Sequence, residues 1–139
     1  RGHMRGTLLR QAKRLGVAAD VSIESGMPFA DLAQLFRSAD LVAYPSYYEG
    51  QGLIPLEAMA SGTPCVTVDD GPLPEMVDET VGALFELGSP SSLANAINDL
   101  LGDPEKLAEL TAAGRNRVLE SYTYGRNAER YAGFYADDD

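Results

Sequence analysis

Basic residues are scarce in this chain and nowhere gathered. Eleven Lys and Arg stand against 21 Asp and Glu in 139 residues, a formal net charge of −10. The electrostatic footprint of a nucleic-acid or anionic-membrane binder is therefore missing, and small molecules or proteins are the expected partners. Cysteine occurs once. Cys65 has no partner for an intramolecular disulfide, and its place in the apolar run PCVTV marks it as a small buried hydrophobe in a reducing compartment. Histidine also occurs once, at His3, and no Cys or Asp cluster has ligand spacing, so no metal site is expected. No apolar run reaches the about 18 residues of a membrane span, and no signal-peptide core is present. A soluble, cytoplasmic protein is the expectation.

A chain of this length is expected to form one domain and to bury roughly 70% of its unfolded surface. Residues 1–4, RGHM, resemble a tag or cloning remnant, which sets His3 aside and leaves residues 5–139 as the native part. A remnant joined directly to a helical segment, with no strand before it, suggests a fragment of a longer chain. TLLRQAKRLG reads as an amphipathic helix ending at Gly16, and DVSIES alternates as a strand before the breaker Gly26-Met27-Pro28. FADLAQLFRSA is a second helix, with Leu32, Leu35 and Phe36 at helical spacing, and DLVAYPS is a short apolar strand stopped by Pro45. LIPLEAMASG predicts a helix with Pro55 in its first turn and Gly62 at its end, followed by the buried strand PCVTVD. LPEMV is a short helical turn and GALFEL a fourth strand. Three helices close the chain, two of them N-capped by Asp103 and Thr123. Strands that alternate with helices and are short and apolar predict a Rossmann-like parallel α/β sheet covered by helices on both faces.

Ligands of such sheets bind beyond the carboxyl ends of the strands, which selects the loop from Pro45 to Gly52. The stretch YPSYYEGQGLIPLEAMASGTPCV places Glu49 beside Gly50 and Gly52 and puts Glu57 on the helix that follows. Glycines permit backbone shapes that other residues resist, and the unpaired amides of a helix's first turn attract phosphate. A carboxylate only accepts hydrogen bonds, so it cannot grip phosphate but suits the hydroxyl pairs of a sugar or ribose. A ligand with phosphates between two polyols fits both features. Glu57 lies in a nearly continuous apolar segment and is expected to be part-buried and in need of a partner. Tyr47 and Tyr48 read as rim packing, and Cys65, Met59 and Met76 as core.

The same stretch resembles the signature of the retaining glycosyltransferases of family four, also called glycosyltransferase group 1, which have the GT-B fold. Pro45-Ser46, Glu49, Gly50, Gly52, Leu53, Glu57, Ala58, Met59, Ala60, Gly62 and Pro64 fall in one register with it. DDGPLPEMV is similar to a later family loop, with Gly71 and Glu75 in place and Pro72 where a second Gly is usual. Gln51 stands where the family usually has an aromatic, a change expected to alter donor preference.

The resemblance implies the truncated C-terminal, donor-binding half of a GT-B enzyme that transfers a hexose from a UDP-, GDP- or ADP-sugar to an acceptor hydroxyl, with no cofactor. It implies that Glu49 contacts the transferred sugar as the catalytic acid side chain. Glu57 would bind the ribose, and Gly50, Gln51, Gly52, Leu53 and Ile54 would support sugar and diphosphate through backbone amides. Gly26, Met27 and Pro28 would flank the nucleobase. The family's diphosphate-stabilising Arg and Lys match nothing here, so an acceptor domain and part of the donor domain are expected elsewhere in a parent chain, and the fragment is expected to be inactive. A GT-B sugar-nucleotide epimerase and a non-catalytic nucleotide-sugar module are alternatives. A phosphorylase would need a pyridoxal-phosphate lysine, for which Lys13 and Lys106 are poorly placed. A sheet missing its opening units is expected to self-associate, with TYGRNAERYAGFYA a candidate dimer element.

Overall fold

The computed structural model describes residues 3–136; Arg1 and Gly2, half of the segment read as a cloning remnant, and residues 137–139 lie outside the described residues. The elements run α1 (Arg5–Arg14), α2 (Phe29–Ser38), β1 (Val42–Tyr44), α3 (Leu53–Ala60), β2 (Cys65–Val68), α4 (Leu73–Met76), β3 (Gly82–Phe85), α5 (Pro90–Leu101), α6 (Pro104–Ser121) and α7 (Tyr124–Ala136). They fall into two compact units, Arg1–Leu32 and Ala33–Asp139, described separately below; α2 runs across the division.

In the first unit, α1 stops ahead of Gly16 as expected, but the predicted strand DVSIES does not form. Residues 20–25 pair with no strand among the described residues, Val21 is exposed, and the Ile23 carbonyl accepts from the Arg5 guanidinium instead of from a neighbouring strand. Alternating apolar and polar residues permit a strand, but a ladder of backbone partners makes one. The sheet therefore has three strands, where the sequence suggested four.

The second unit is a parallel α/β layer in the order β1-β2-β3. Val42 pairs with Cys65 and Tyr44 with Thr67, while Cys65 pairs with Gly82 and Val68 with Phe85. All four residues of β2 are buried. Successive side chains of a strand point to opposite faces, so the central strand is covered on both sides, the Rossmann-like arrangement that the alternation predicted. Met59, Leu73, Val66, Val68, Val77 and Leu100 form the fully buried centre. Cys65 is among the buried residues, and desolvation pushes its thiol up to about 12, the behaviour of a packing residue rather than a reactive one.

Helix α3 ends as its sequence predicts. Gly62 sits at φ 83°, and the bonds from the Gly62 N–H to the Met59 carbonyl (3.0 Å) and from the Thr63 N–H to the Ala58 carbonyl (3.0 Å) form a Schellman motif. Helix α6 buries Leu110, Gly114 and Val118, one face at four-residue spacing. It is tied across the unit by Arg115 to the Ala60 carbonyl (2.9 Å) and by Arg117 to Asp78 (2.8 Å), and Tyr122, just past its end, donates its hydroxyl to the Glu75 carbonyl (3.1 Å). Asp103 accepts from the Lys106 N–H at 3.0 Å and Thr123 from the Arg126 N–H at 3.3 Å, so both predicted caps are present.

Candidate functional site

β1 ends at Tyr44 because Pro45 has no N–H to give to the ladder. The chain then turns, with the Ser46 hydroxyl donating to the Tyr48 carbonyl at 3.1 Å, and Glu49 follows. The Glu49 side chain folds back on its own loop. Its Oε1 accepts from the N–H of Gly50 at 3.0 Å and of Gln51 at 3.3 Å, and its Oε2 accepts from the Tyr44 hydroxyl. The Tyr44 hydroxyl, reinforced by the amides of Gly52, Gln51 and Gly50, holds the Glu49 carboxyl at about 2, so it is ionised at neutral pH. The same contact raises the Tyr44 phenol.

Gly52 then turns the chain into α3 at φ 75°, and a Cβ there would lie 2.7 Å from Leu73 Cδ2 and 2.8 Å from Met76 Cε. The left-handed backbone favours glycine, and a larger residue would also have to push aside the ends of Leu73 and Met76. Among the described residues no side chain caps α3. Pro55 brings no amide to its first turn, and among the described residues the N–H groups of Leu53 and Ile54 meet no hydrogen-bond partner. The expected stretch of open amides from Gly50 to Ile54 is thus divided: the first part is turned to Glu49, and Leu53 and Ile54 remain available.

Beside this loop lies a cleft of ≈ 170 Å³ lined by Ser46, Tyr47, Tyr48 and Glu49 from the β1 side and by Val68 and residues 70–73 from the β2 side. An apolar groove of ≈ 120 Å³, bordered by Pro45, Tyr47, Val68, Phe85 and Leu87, adjoins it at the end of β3. Both concavities open at the carboxyl ends of the parallel strands, where the fold concentrates ligand sites. Glu57 is half-buried on α3, as its apolar neighbours predicted, and lies outside the cleft's lining. Its carboxylate accepts no hydrogen bond among the described residues. Gly26, Met27 and Pro28 belong to the first unit, in the turn before α2, where the Pro28 carbonyl accepts the Leu32 N–H at 3.0 Å.

A family model described as glycosyl transferases group 1 matches residues 1–117. The chain belongs to that family. The D-inositol 3-phosphate glycosyltransferase of Segniliparus rotundus is 42% identical over 108 residues, 77% of this chain and 24% of the relative. Among solved structures, sucrose-phosphate synthase from Thermosynechococcus elongatus superposes with a TM-score of 0.87 at 30% identity, covering 98% of this chain and 34% of that one. Anabaena Alr3699/HepE in complex with UDP-glucose gives 0.85 at 28% identity, covering 95% and 36%. The chain spans about a quarter of the length of the curated relatives it matches.

Two features of this group 1 domain escaped the sequence. Tyr44 was read only as part of an apolar strand, although it meets Glu49. Asp70 was passed over, although it lies just beyond the end of β2 and lines the cleft opposite Glu49. The preference of ligands for strand carboxyl ends points to Asp70 after β2 as it does to Glu49 after β1. Tyr47 and Tyr48 were expected to pack at the rim, but at 74% and 94% exposed they line the cleft with their rings largely free of packing.

Proposed function

We propose that this domain is the donor-binding part of a retaining glycosyltransferase that moves a hexose from a nucleoside-diphosphate sugar to an acceptor hydroxyl. The observation that carries the reading is the pairing of an ionised acceptor, Glu49, with the open amides of Leu53 and Ile54 at the start of α3. Amides at a helix start suit the diphosphate, and the carboxylate suits the hydroxyls of the transferred sugar, where its charge stabilises the positive character that develops as the leaving phosphate departs. Glu57, half-buried and unpaired on the next turns of α3, suits the ribose diol. Gly26, Met27 and Pro28 are assigned to the nucleobase on the family resemblance alone.

The UDP-glucose complex of HepE supports a UDP-sugar as the donor to try first, with GDP- and ADP-sugars behind it. No cofactor and no metal enter the reading. The acceptor domain and the basic residues that would steady the diphosphate are assigned to a parent chain, which makes the domain alone inactive, and the parent is placed in the cytoplasm, where nucleotide sugars are at hand. Among the described residues no helix is long and apolar enough to cross a membrane.

Calorimetric titration of the domain, and of the full enzyme that contains it, with UDP-, GDP- and ADP-glucose tests the proposal. Binding of one donor by the full enzyme is the expected result, and binding of none would overturn it. Self-association belongs to the same proposal: α7 exposes Tyr124, Tyr131, Phe134 and Tyr135, an apolar surface that a twofold dimer would cover. Sedimentation at micromolar concentration should show a dimer, and a strictly monomeric species removes that part.

A further inference from the structure

Tyr44 closes β1 with its ring packed against the core cluster and its backbone paired with Thr67. Its hydroxyl reaches five residues onward to Oε2 of Glu49, while Oε1 is held by the Gly50 and Gln51 amides. The donors thus come from two different places, a sheet and a loop. Amides on Oε1 alone would leave the carboxyl group free to pivot, because the terminal torsion of a glutamate is broad and has no staggered wells to hold it. A hydroxyl on the other oxygen, carried by a ring fixed in the sheet, stops that pivot.

We infer that Tyr44 is a positioning residue for Glu49, fixing the plane of its carboxylate so that the remaining acceptor capacity is presented to the cleft. A carboxylate accepts about four hydrogen bonds. Three hydrogen bonds, from the Tyr44 hydroxyl and the Gly50 and Gln51 amides, fill that capacity in part, the Gly52 amide helps to lower the carboxyl without a hydrogen bond of its own, and Glu49 still lines the cleft where a sugar hydroxyl would meet it. The same hydrogen bonds favour the ionised group, which accepts on both oxygens. The inference rests on the assignment of Glu49 to the sugar, but the Tyr44–Glu49 couple is testable without a donor.

The measurement is a carbon-13 NMR titration of the glutamate carboxyl groups in the full 139-residue chain and its Tyr44→Phe variant, which keeps the ring and loses the hydroxyl. The Glu49 midpoint should rise by about 1 pH unit or more toward that of an ordinary glutamate while the amide spectrum stays folded. An unmoved midpoint in a folded variant overturns the inference. If Tyr44→Phe fails to fold, Glu49→Gln is read instead at the Tyr44 ring carbon: the phenol should titrate lower than in the parent sequence, and no change there overturns the inference equally.

Calorimetry with UDP and UDP-glucose on the same proteins supplies the second arm. Tyr44→Phe should weaken UDP-glucose severalfold and leave UDP unchanged, since only the sugar meets Glu49. Equal weakening of both, or of neither, removes the positioning role even where the titration moves. If the 139-residue chain binds neither ligand, the same comparison is read in the full enzyme that contains it; binding of neither there while the midpoint shifts as stated ends the sugar reading of the site and leaves the Tyr44–Glu49 couple standing.

Discussion

The two acids that stand eight residues apart in the site sequence meet opposite fates. Glu49, in the loop after β1, has both carboxylate oxygens engaged by its own chain, through the Gly50 and Gln51 amides and the Tyr44 hydroxyl. Glu57, half-buried in α3, has an equally strong need for donors and meets none among the described residues. The backbone explains the contrast. A loop has N–H groups to spare, and a short acid among glycines can gather them, whereas the amides around a mid-helix residue are already spent on carbonyls four residues back. A loop acid can therefore be preset by its own segment. A helix acid must find its partner outside the helix, and at this site that partner is assigned to the donor's ribose.

The hardest way to break the contrast is to remove the glycine that shapes the loop. Gly52→Ala puts a Cβ 2.7 Å from Leu73 Cδ2 on a backbone at φ 75°. It should cost about 3 kcal/mol, the sum of left-handed strain and overpacking, seen as a lower urea midpoint. An unchanged midpoint would show that α4 gives way and that the loop does not depend on this contact.

Glu49→Gln keeps the shape of the preset acid and removes its charge. In the full enzyme turnover should fall by about 10²-fold with UDP affinity little changed, because the charge matters most as the transferred sugar becomes electron-poor. Should turnover survive while UDP binding collapses, the roles of Glu49 and Glu57 are exchanged. Glu57→Ala tests the other side of the pair. It should weaken UDP binding by about 2 kcal/mol, the cost of leaving ribose hydroxyls unpaired, and equal affinities in a calorimetric titration would take Glu57 out of the ribose site.

The smallest effect comes from Asp78, a loop acid that serves as a control. Like Glu49 it is satisfied internally, accepting from Arg117 at 2.8 Å and from the Thr80 N–H at 3.0 Å, but it lies outside the cleft's lining. Arg117, helped by Thr80, lowers its carboxyl from the usual 3.8 to about 2. A folded-state value below the unfolded one means stability that is present above about pH 4 and lost as pH falls toward 2. The pair is partly exposed and screened, so Asp78→Asn should cost about 1 kcal/mol or less at pH 7, with the gap closing on acidification and donor binding untouched. Urea midpoints at pH 7 and 3 check the sign; a gap that widens in acid contradicts it.

The helices were readable because each carried its own signals. The buried face of α6 repeats at Leu110, Gly114 and Val118, and Asp103 announces its start. The site loop was readable for a similar reason, since Glu49, Gly50, Gly52 and Glu57 lie within one short stretch whose chemistry needs no distant partner to be recognised. DVSIES was misread because a strand is completed by another strand's backbone, and local alternation carries no information about whether that partner is there. Asp70 was missed because it shares the cleft with Glu49 only through the parallel pairing of Tyr44 with Thr67, which sets two loops side by side that are far apart along the chain.

What the amino-acid order determined by itself was local: helix periods, caps, the glycine-bounded turn after β1, and the register of acids and glycines that marks a group 1 glycosyltransferase domain. Tertiary structure alone decided which oxygens of Glu49 are occupied, since the ring of Tyr44 must first be anchored in the sheet before its hydroxyl can reach them. It also decided that a larger residue at position 52 must displace the ends of Leu73 and Met76, because these arrive there from an element formed after β2. Propensity and capping act within a turn or two of the chain. Acceptor geometry and close packing depend on groups brought together from separate segments, and only the folded sheet puts those groups within bonding distance.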